Sequence, residues 1–263
     1  MKLKLSSDNP YELIRGSKFN GAKAYLVEKF RKEKSDFHLD FGAHDGELIA
    51  TLKEKDLIIS GVGLDANRDV VEDNCKAMPV GVALQSIATN DRIPFDDDTF
   101  SSVSIIGVVE HVVDQSRLLK ELHRVLKPGG IILVAVPGQH FFSWLDMGNW
   151  KFVFPKLHEL YIVRTKGRQY FERQFSKNPN GLYGDVEKEK FWHEHFTKNH
   201  LADLMQNCGF SIEDMDGFGL FNRVLCNLSF FAPQFTRKYL SYLIRVDAKY
   251  FSAAEIWVLA QKK

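Results

Sequence analysis

Several features that mark out other classes of protein are scarce in this chain. Its 263 residues include only three cysteines, Cys75, Cys208 and Cys226, and no two of them have C-x-x-C spacing. A low, odd number of cysteines argues against a disulfide framework and against a zinc cluster, and it is typical of a reducing compartment. The formal net charge is only +1, so the chain as a whole has no electrostatic preference for nucleic acid or for an anionic membrane.

Long apolar runs are missing as well. The first residues, Met1-Lys-Leu-Lys-Leu-Ser6, lack the apolar core of a secretion signal. The longest apolar region, 219–235, is interrupted by Asn222, Arg223 and Asn227, so we expect no transmembrane segment. A hydrophobic content of 44% and a charged content of 26% are ordinary for a globular protein. Together these observations predict a soluble, cytoplasmic protein.

What the sequence does contain is a regular alternation of strand and helix patterns. Strands are predicted at 37–41, 58–65, 80–88, 101–106 and 131–136, and helices at 9–34, 47–55, 68–78 and 115–126. Such alternation implies right-handed crossovers and a mostly parallel sheet. After an irregular segment the alternation resumes, with helices at 198–208 and 234–246 and strands at 210–215 and 255–261. The turn Lys127-Pro-Gly-Gly130 precedes the fifth strand.

A glycine turn follows the first predicted strand, in the stretch Phe37-His-Leu-Asp-Phe-Gly-Ala-His-Asp-Gly46. In a strand–turn–helix unit of this kind, backbone N–H groups and a helix N-terminus face a bound ligand. The second strand ends in Asp65, whose carboxylate can accept hydrogen bonds from both hydroxyls of a ribose. The combination indicates a nucleotide-like cofactor, and it is shared by NAD and S-adenosylmethionine sites. The structural alternative is that Asp65 only caps the next helix.

Further motifs narrow this choice. They are Ile93-Pro-Phe-Asp-Asp-Asp-Thr-Phe-Ser-Ser-Val-Ser104, Val109-Glu-His-Val112 and Leu118-Leu-Lys-Glu-Leu-His-Arg-Val-Leu-Lys-Pro-Gly-Gly130. With the glycine turn, and in this order and spacing, they closely resemble class I S-adenosylmethionine-dependent methyltransferases, of the type that acts on small molecules and glycans. The resemblance covers about 37–137, is weaker at His193-Glu-His-Phe-Thr197 and the following helix, and is absent across 139–190. It implies a Rossmann-like, three-layer α/β sandwich with a mostly parallel sheet and an antiparallel last strand.

The resemblance also implies where S-adenosyl-L-methionine would bind. The acid of the first strand and the glycine turn would hold its methionine end, the acid of the second strand its ribose, and the residues that follow the second and third strands its adenine. The end of the fourth strand would pass near the sulfonium. The implied contacts are Asp40, Gly42, His44, Gly46, Asp65, Ala66, Asn67, Ala88, Thr89 and Gly107.

Two of these positions depart from the family pattern and leave other functions open. His44 replaces the middle glycine of the turn, and Thr89 stands where an acid commonly receives the adenine amino group. The first rival function is therefore a cofactor- or ligand-binding module that has lost methyl transfer. The second is an NAD-dependent oxidoreductase, which would prefer G-x-G-x-x-G at the first turn, and Gly42-Ala-His-Asp-Gly46 does not supply it.

The catalytic candidates are histidines near the predicted cleft. Methyl transfer to a hydroxyl requires removal of a proton, ideally by a group that titrates near neutral pH. His111 is the preferred base, His195 is the second candidate, and His140 and His193 are also in the region. The alternative is that Glu110-His111 only orders the wall of the cleft. The pair His193-x-His195 lacks a third ligand in register, so no metal site is expected.

We interpret the chain as four parts: an N-terminal helical cap at 1–36, a cofactor-binding core at 37–138, an insert at 139–190 and, at 191–263, the rest of the core sheet. The insert is rich in aromatic residues, and between 140 and 180 it has seven Lys or Arg against three Asp or Glu. We expect it to recognise the acceptor, a small metabolite or saccharide methylated on oxygen or, less readily, nitrogen. Its basic residues can meet a phosphate or carboxylate of that acceptor; they are Lys151, Lys156, Arg164, Lys166 and Arg168. A structural cap and a peripheral membrane contact are the alternatives.

Overall fold

The computed structural model describes residues 21–87, 92–145, 149–150, 153–172, 194–221, 224–225, 228, 233 and 236–263. Within these ranges, seven strands form one sheet. Their bounds are β1 Ser35–Phe41, β2 Ile58–Asp65, β3 Val82–Ser86, β4 Phe100–Ile106, β5 Leu126–Pro137, β6 Phe210–Phe218 and β7 Glu255–Lys262. The order across the sheet is β3-β2-β1-β4-β5-β7-β6. The first five strands run parallel, and β7 is antiparallel to both β5 and β6. The predicted fold class is therefore confirmed.

Most helices lie where the apolar periodicity predicts them, but the helices Pro155–Lys166 and Arg168–Phe171 fall in the irregular segment, where the sequence predicted none. The bounds of the helices are α1 Ala22–Lys32, α2 Glu47–Glu54, α3 Arg68–Asn74, α4 Gln115–Val125, α5 Pro155–Lys166, α6 Arg168–Phe171, α7 Lys198–Asn207 and α8 Arg237–Tyr250. Side-chain caps fix three of the starts: Asn67 accepts from the Val70 N–H, Asp114 from Arg117 and Thr197 from His200. The residues of the predicted first helix that precede 21 lie outside the described ranges.

One predicted turn is wrong in detail. The segment Lys127–Gly130 belongs to β5, where the pairing with β4 is irregular between the partners of Phe100 and Ser102. Gly129 has a φ of 75°, an angle that glycine adopts without a steric penalty. The Pro-Gly-Gly sequence therefore produces an irregularity inside a strand, and the strand begins at Leu126 rather than at Ile131.

The core lies on both faces of the sheet, which gives three layers. On one face the strands pack against Leu119 and Leu122 of α4 and Leu201 of α7. On the other they pack against the buried side chains of α1 and α2, among them Phe30 and Leu52. Because successive strand residues point to opposite faces, one apolar run supplies both layers.

The guanidinium group of Arg124 links the loop before β4 to helix α4 through hydrogen bonds. Arg124 donates to the carbonyls of Phe95 (2.9 Å) and Ile93 (3.0 Å). Its Nη2 and Nε also donate to the carboxylate of Glu121, at 2.6 and 2.9 Å. Glu121 in turn accepts from the Ile93 N–H at 2.9 Å. The side chain of Arg124 is only 17% exposed, so these bonds compete little with water.

We therefore expect Arg124→Ala to lower the free energy of unfolding by about 2–3 kcal/mol, because the carbonyls of Phe95 and Ile93 lose this donor and the partly buried Glu121 carboxylate keeps only the Ile93 N–H. Chemical denaturation measures this. Lys120→Ala, at an exposed position of the same helix, should change the free energy by less than about 0.5 kcal/mol. If the two changes lower the free energy of unfolding equally, the hydrogen bonds of Arg124 do not stabilise the fold as we expect.

Within the described ranges, no helix combines the length and the apolar character that a bilayer crossing requires.

Candidate functional site

A cavity of about 350 Å³ opens where β1, β2 and β4 end. This volume lies in the range of small-ligand sites, about 300–1,000 Å³. In open α/β sheets, ligands bind outside the carboxyl ends of the strands, where the strand order reverses, and here β2 and β4 flank β1. Predicted cofactor contacts among the lining residues are Asp40, Gly42, His44, Asp65, Ala66 and Gly107.

The glycine turn is a close contact between two strand ends. Gly42 has a φ of 85°, and a Cβ at this position would lie 2.1 Å from Cγ2 of Val108, just after β4. Only a residue without a side chain allows this approach. Gly46 also has a positive φ, 75°, and packs against Met78 rather than lining the cavity. The turn thus brings β1 and β4 together at the mouth of the cavity.

His44 adopts the backbone conformation that a glycine would otherwise supply. Its φ is 50°, in the left-handed region that few non-glycine residues occupy. Its N–H donates to Oδ2 of Asp65 at 2.7 Å. Its side chain is 44% exposed and stands at the wall of the cavity. The substitution is therefore accommodated with the cavity still open.

The backbone donors of the turn are directed mainly into the protein, contrary to the expectation that they face a ligand. The N–H groups of Gly42 and Ala43 both donate to the carbonyl of Leu64, at 2.7 and 3.0 Å, and that of Gly46 donates to Ala43 at 2.9 Å. A pyrophosphate at such a turn depends on N–H groups that point at it. The turn therefore does not favour a dinucleotide.

Asp65 lies where β2 meets the cavity. Its carboxylate accepts from the N–H groups of His44 (2.7 Å) and Asn67 (2.8 Å). An ionised carboxylate has about four acceptor positions, so two backbone bonds fix its orientation and leave capacity for a ligand. The side-chain cap of α3 is Asn67, not Asp65. Asn67 itself does not line the cavity.

Asp40 is the buried acid of the site, with 4% of its surface exposed. Its Oδ1 accepts from the Ser104 hydroxyl at 2.7 Å. Burial raises the pKa of Asp40 to about 6; the Ser104 hydrogen bond and the Lys23 ammonium pull this pKa down, and the Asp65 carboxylate raises it further. The Asp40 carboxyl group therefore titrates closer to neutral pH than an ordinary aspartate does.

In the described part of the chain, five Asp, Glu, Lys or Arg residues line the cavity. Four are acidic, Asp40, Asp45, Glu47 and Asp65, and one is basic, Lys23. The excess of carboxylates favours a cationic ligand. Lys23 was not predicted as a site residue. The sequence placed it only within the predicted N-terminal helical cap at 1–36.

The remaining predicted cofactor contacts are placed as follows. Gly107 has a φ of 71° and lines the cavity beside Ile106 and Val108. Its N–H donates to the carbonyl of Ala135 at 3.0 Å. Ala88 and Thr89 lie outside the described residues.

The two catalytic candidates lie after the ends of β4 and β5. His111 closes the short turn Val109–His111 that follows β4, and it is 8% exposed. His195 precedes Phe196, whose N–H donates to Pro137 at the end of β5 at 2.9 Å. Gln115 of α4 holds the same segment through Glu194 at 2.7 Å. Neither histidine is among the residues that line the cavity, and His193 lies outside the described residues.

The described part of the insert exposes several large apolar side chains. They are Phe141, Trp144, Val153, Phe154, Leu157 and Leu160. Of the predicted basic residues, Lys156 and Arg164 are exposed, and Arg168 pairs with Glu159 at 2.6 Å. Lys151 lies outside the described residues.

The residues of the cavity suit S-adenosylmethionine, which carries positive charge on its sulfur and its amine and has a ribose. Asp65 offers acceptor positions to the two hydroxyls of the ribose, and the carboxylate of Asp40 offers a partner to a positively charged group of the cofactor. The internally bonded turn requires no phosphate. The fold and this site together define the class, a Rossmann-like class I methyltransferase.

The chain belongs to the methyltransferase domain family, whose profile matches residues 18–214. S-adenosylmethionine is the cofactor of this family.

Two curated relatives illustrate the similarity. The ubiquinone/menaquinone biosynthesis C-methyltransferase of Geotalea daltonii is 27% identical over 149 residues, which are 54% of this chain and 59% of the relative. The demethylmenaquinone methyltransferase of Chlorobaculum tepidum is 26% identical over 214 residues, 79% of this chain and 76% of the relative. The chain spans between 48% and 65% of the length of several such relatives.

Solved structures share the fold at low identity. A SAM-dependent methyltransferase from Methanosarcina mazei has a TM-score of 0.52 and 19% identity, and the match covers 90% of this chain and 96% of that one. The [4+2]-cyclase SpnF has a TM-score of 0.56 and 14% identity, with 91% and 80% covered. Because a cyclase shares the fold, the fold alone does not establish methyl transfer.

Proposed function

We propose that this chain transfers the methyl group of S-adenosylmethionine to an oxygen, or less readily a nitrogen, of a small metabolite or saccharide. The observation that supports this most is the cavity with Asp40 and Asp65 on either side of a glycine turn whose N–H groups are bonded internally. Such a site attracts a cation and offers acceptors to a ribose. An NAD-dependent oxidoreductase is disfavoured by the same turn.

The roles that we propose for the site residues are those that the family resemblance implies, and the position of Asp40 and Asp65 at the cavity supports them. Asp65 would accept from the ribose hydroxyls, and Asp40 with the 42–46 turn would hold the methionine end. When bound, S-adenosylmethionine supplies a methyl group on a positively charged sulfur. Transfer is an in-line displacement, so the main contribution of the chain is to hold donor and acceptor in line and to exclude water.

The direct test is isothermal calorimetry with S-adenosylhomocysteine, followed by incubation of the protein with methyl-labelled S-adenosylmethionine and a panel of hydroxylated metabolites, saccharides and amines. We expect binding and label in one class of acceptor. Absence of binding would remove the proposal. Binding without transfer to any acceptor would favour the alternative, a binding module that has lost catalysis.

A second candidate function is methylation of carbon on a quinone-type ring. The two relatives described above, a C-methyltransferase of quinone biosynthesis and a demethylmenaquinone methyltransferase, favour it. The exposed aromatic and aliphatic side chains of the insert are compatible with an apolar acceptor. Adding demethylated quinones to the panel separates the two candidates, because the label appears on ring carbon in one case and on oxygen in the other.

His111 is the general base that we propose for an oxygen acceptor. It is almost buried at the turn after β4, and histidine is the side chain that most often serves as a general base. We expect His111→Ala to lower kcat about 100-fold or more, with the Kd of S-adenosylhomocysteine changed less than about threefold. Steady-state kinetics with the acceptor found in the panel measure this.

The control for His111 is His200→Ala, at an exposed position of α7, which should retain the kcat of the wild type. If His111→Ala also retains it and His195→Ala loses it, the base is His195, the second candidate. If neither change affects kcat, positioning alone drives the transfer.

A further inference from the structure

A chain of buried polar side chains connects the interior of the sheet to the cavity. Ser35 Oγ lies 2.5 Å from Ser102 Oγ, which lies 2.7 Å from Nδ1 of His38. On the other side of the ring, Nε2 of His38 lies 2.9 Å from Ser104 Oγ, which donates to Asp40 at 2.7 Å. None of these residues is more than 6% exposed. Such a network is costly to bury unless its members satisfy one another.

The register of the two central strands creates this chain. In the parallel pairing of β1 with β4, His38 is the partner of Ser102 and Asp40 is the partner of Ser104. On the helix side, the ring of Phe30 from α1 meets the His38 ring edge-on, with centroids 5.3 Å apart. The imidazole is therefore fixed by two hydroxyls and one aromatic ring.

The donors of the chain have one consistent direction when Asp40 is ionised. The carboxylate can only accept, so the Ser104 hydrogen points at Asp40. Ser104 must then accept from the ring, which places the His38 proton on Nε2. Nδ1 of His38 is left as an acceptor for the Ser102 hydroxyl. The tautomer follows from the network rather than from a choice made for the ring alone.

We propose that His38 is a positioning residue for the cofactor site: its Nε2–H orients the Ser104 hydroxyl, and that hydroxyl holds the Asp40 carboxylate in place and favours its ionised form. The proposal rests on the proposed function, in which Asp40 holds the methionine end of the cofactor. Methyl transfer does not require a buried histidine at this point. The ring acts on the cofactor only through Ser104 and Asp40.

The charged groups around the network define its dependence on pH. Asp40 faces the Lys23 ammonium from α1 and the Asp65 carboxylate from β2. Burial lowers the pKa of His38 to about 3, so the ring is neutral throughout the range in which Asp40 titrates. The ionised Asp40 that attracts the cofactor amine is present above about pH 6 and is lost as the pH falls through that value.

The principal test is Ser104→Ala, which removes one oxygen atom. The Kd of S-adenosylhomocysteine is measured by calorimetry from pH 5 to pH 8. We expect the affinity at pH 7 to fall about tenfold, because a hydrogen bond to a charged group is lost. We also expect the pH below which binding weakens to move upward, since the Ser104 bond lowers the pKa of Asp40.

The matched control is Ser60→Ala, which removes a hydroxyl from the neighbouring strand β2, where it donates to the Asp36 carbonyl at 3.3 Å. It should retain the wild-type affinity and pH profile. If Ser104→Ala has the same profile as Ser60→Ala, the proposal is wrong. His38→Gln keeps an N–H donor for Ser104 and should stay within about threefold of the wild-type affinity, whereas His38→Leu should shift the profile in the same direction as Ser104→Ala.

Two NMR readouts on the cofactor-free protein separate this proposal from the proposed function. The ¹⁵N shifts of His38, assigned with His38→Gln, should show the Nε2–H tautomer at pH 8, and the Nδ1–H tautomer would overturn the assignment. The side-chain carboxyl ¹³C shift of Asp40 should titrate at higher pH in Ser104→Ala than in the wild type. These results hold or fail whether or not the protein binds S-adenosylhomocysteine; failure of the wild type to bind it contradicts only the function.

Discussion

Asp65→Ala should weaken the binding of S-adenosylhomocysteine about 100-fold, as measured by calorimetry. The carboxylate is proposed to accept from both ribose hydroxyls, and a hydrogen bond to a charged group contributes about 1.5–3 kcal/mol. The same change also removes the acceptor of the N–H groups of His44 (2.7 Å) and Asn67 (2.8 Å). The first of these hydrogen bonds fixes the glycine turn. Loss of ligand acceptors and loss of turn geometry therefore act in the same direction.

Two further variants separate these contributions. Asp65→Asn keeps the shape and one carbonyl acceptor, so its loss of affinity should be about tenfold. Asp69→Ala removes the same charge at an exposed position on α3 and should leave the affinity within about twofold, because exposed charges are screened. If Asp65→Ala and Asp69→Ala have the same affinity, Asp65 does not contact the cofactor.

The order of the strands and of most helices could be predicted from the sequence, because it depends on local patterns of apolar residues. Period-2 and period-3.6 apolar spacing identify strands and helices, and the described strands begin and end close to their predicted bounds, with β5 as the main exception. There, Pro128, Gly129 and Gly130 read as a turn, but the pairing of Leu126 with Phe100 extends the strand through them. A long-range pairing overrode a local signal.

The hydrogen bonds of the site could not be predicted, since they depend on register. His38 is 64 positions from Ser102 and 66 from Ser104, and it meets them only through the pairing of β1 with β4. No local pattern in the sequence indicates a role for His38. The direction of the turn N–H groups was also hidden, because it depends on where the carbonyl of Leu64 lies in the neighbouring strand.

The internally bonded turn and the acidic lining explain each other. A turn with free N–H groups carries partial positive charge and attracts phosphate. Here the N–H groups of Gly42 and Ala43 donate to the carbonyl of Leu64. They offer no binding site to a phosphate, and carboxylates line the cavity instead. A cation then becomes the favoured ligand. The distinction between a dinucleotide and a sulfonium cofactor thus lies in the hydrogen bonding of the turn as much as in its glycine count.

Gly42→Ala should destabilise the fold by about 2–4 kcal/mol and weaken cofactor binding at the same time. The new Cβ would lie 2.1 Å from Cγ2 of Val108, and the φ of 85° is unfavourable for any L side chain. Because Val108 follows β4 and lines the cavity, relief of the clash must move one wall of the site. Thermal and chemical denaturation measure the stability, and calorimetry with S-adenosylhomocysteine measures the site.

The chain supplies a control and a rescue for this change. Gly129→Ala has nearly the same backbone penalty, with a φ of 75°, but a Cβ there meets nothing within 4 Å, so it should cost only about 1–2 kcal/mol and leave binding intact. The double variant Gly42→Ala with Val108→Ala removes the clashing methyl groups and should recover part of the stability that the single variant loses, which a double-mutant cycle reports as a favourable coupling. If the two changes are simply additive, the penalty at Gly42 comes from its backbone angle alone, and the close approach of the turn to the end of β4 does not shape the cavity.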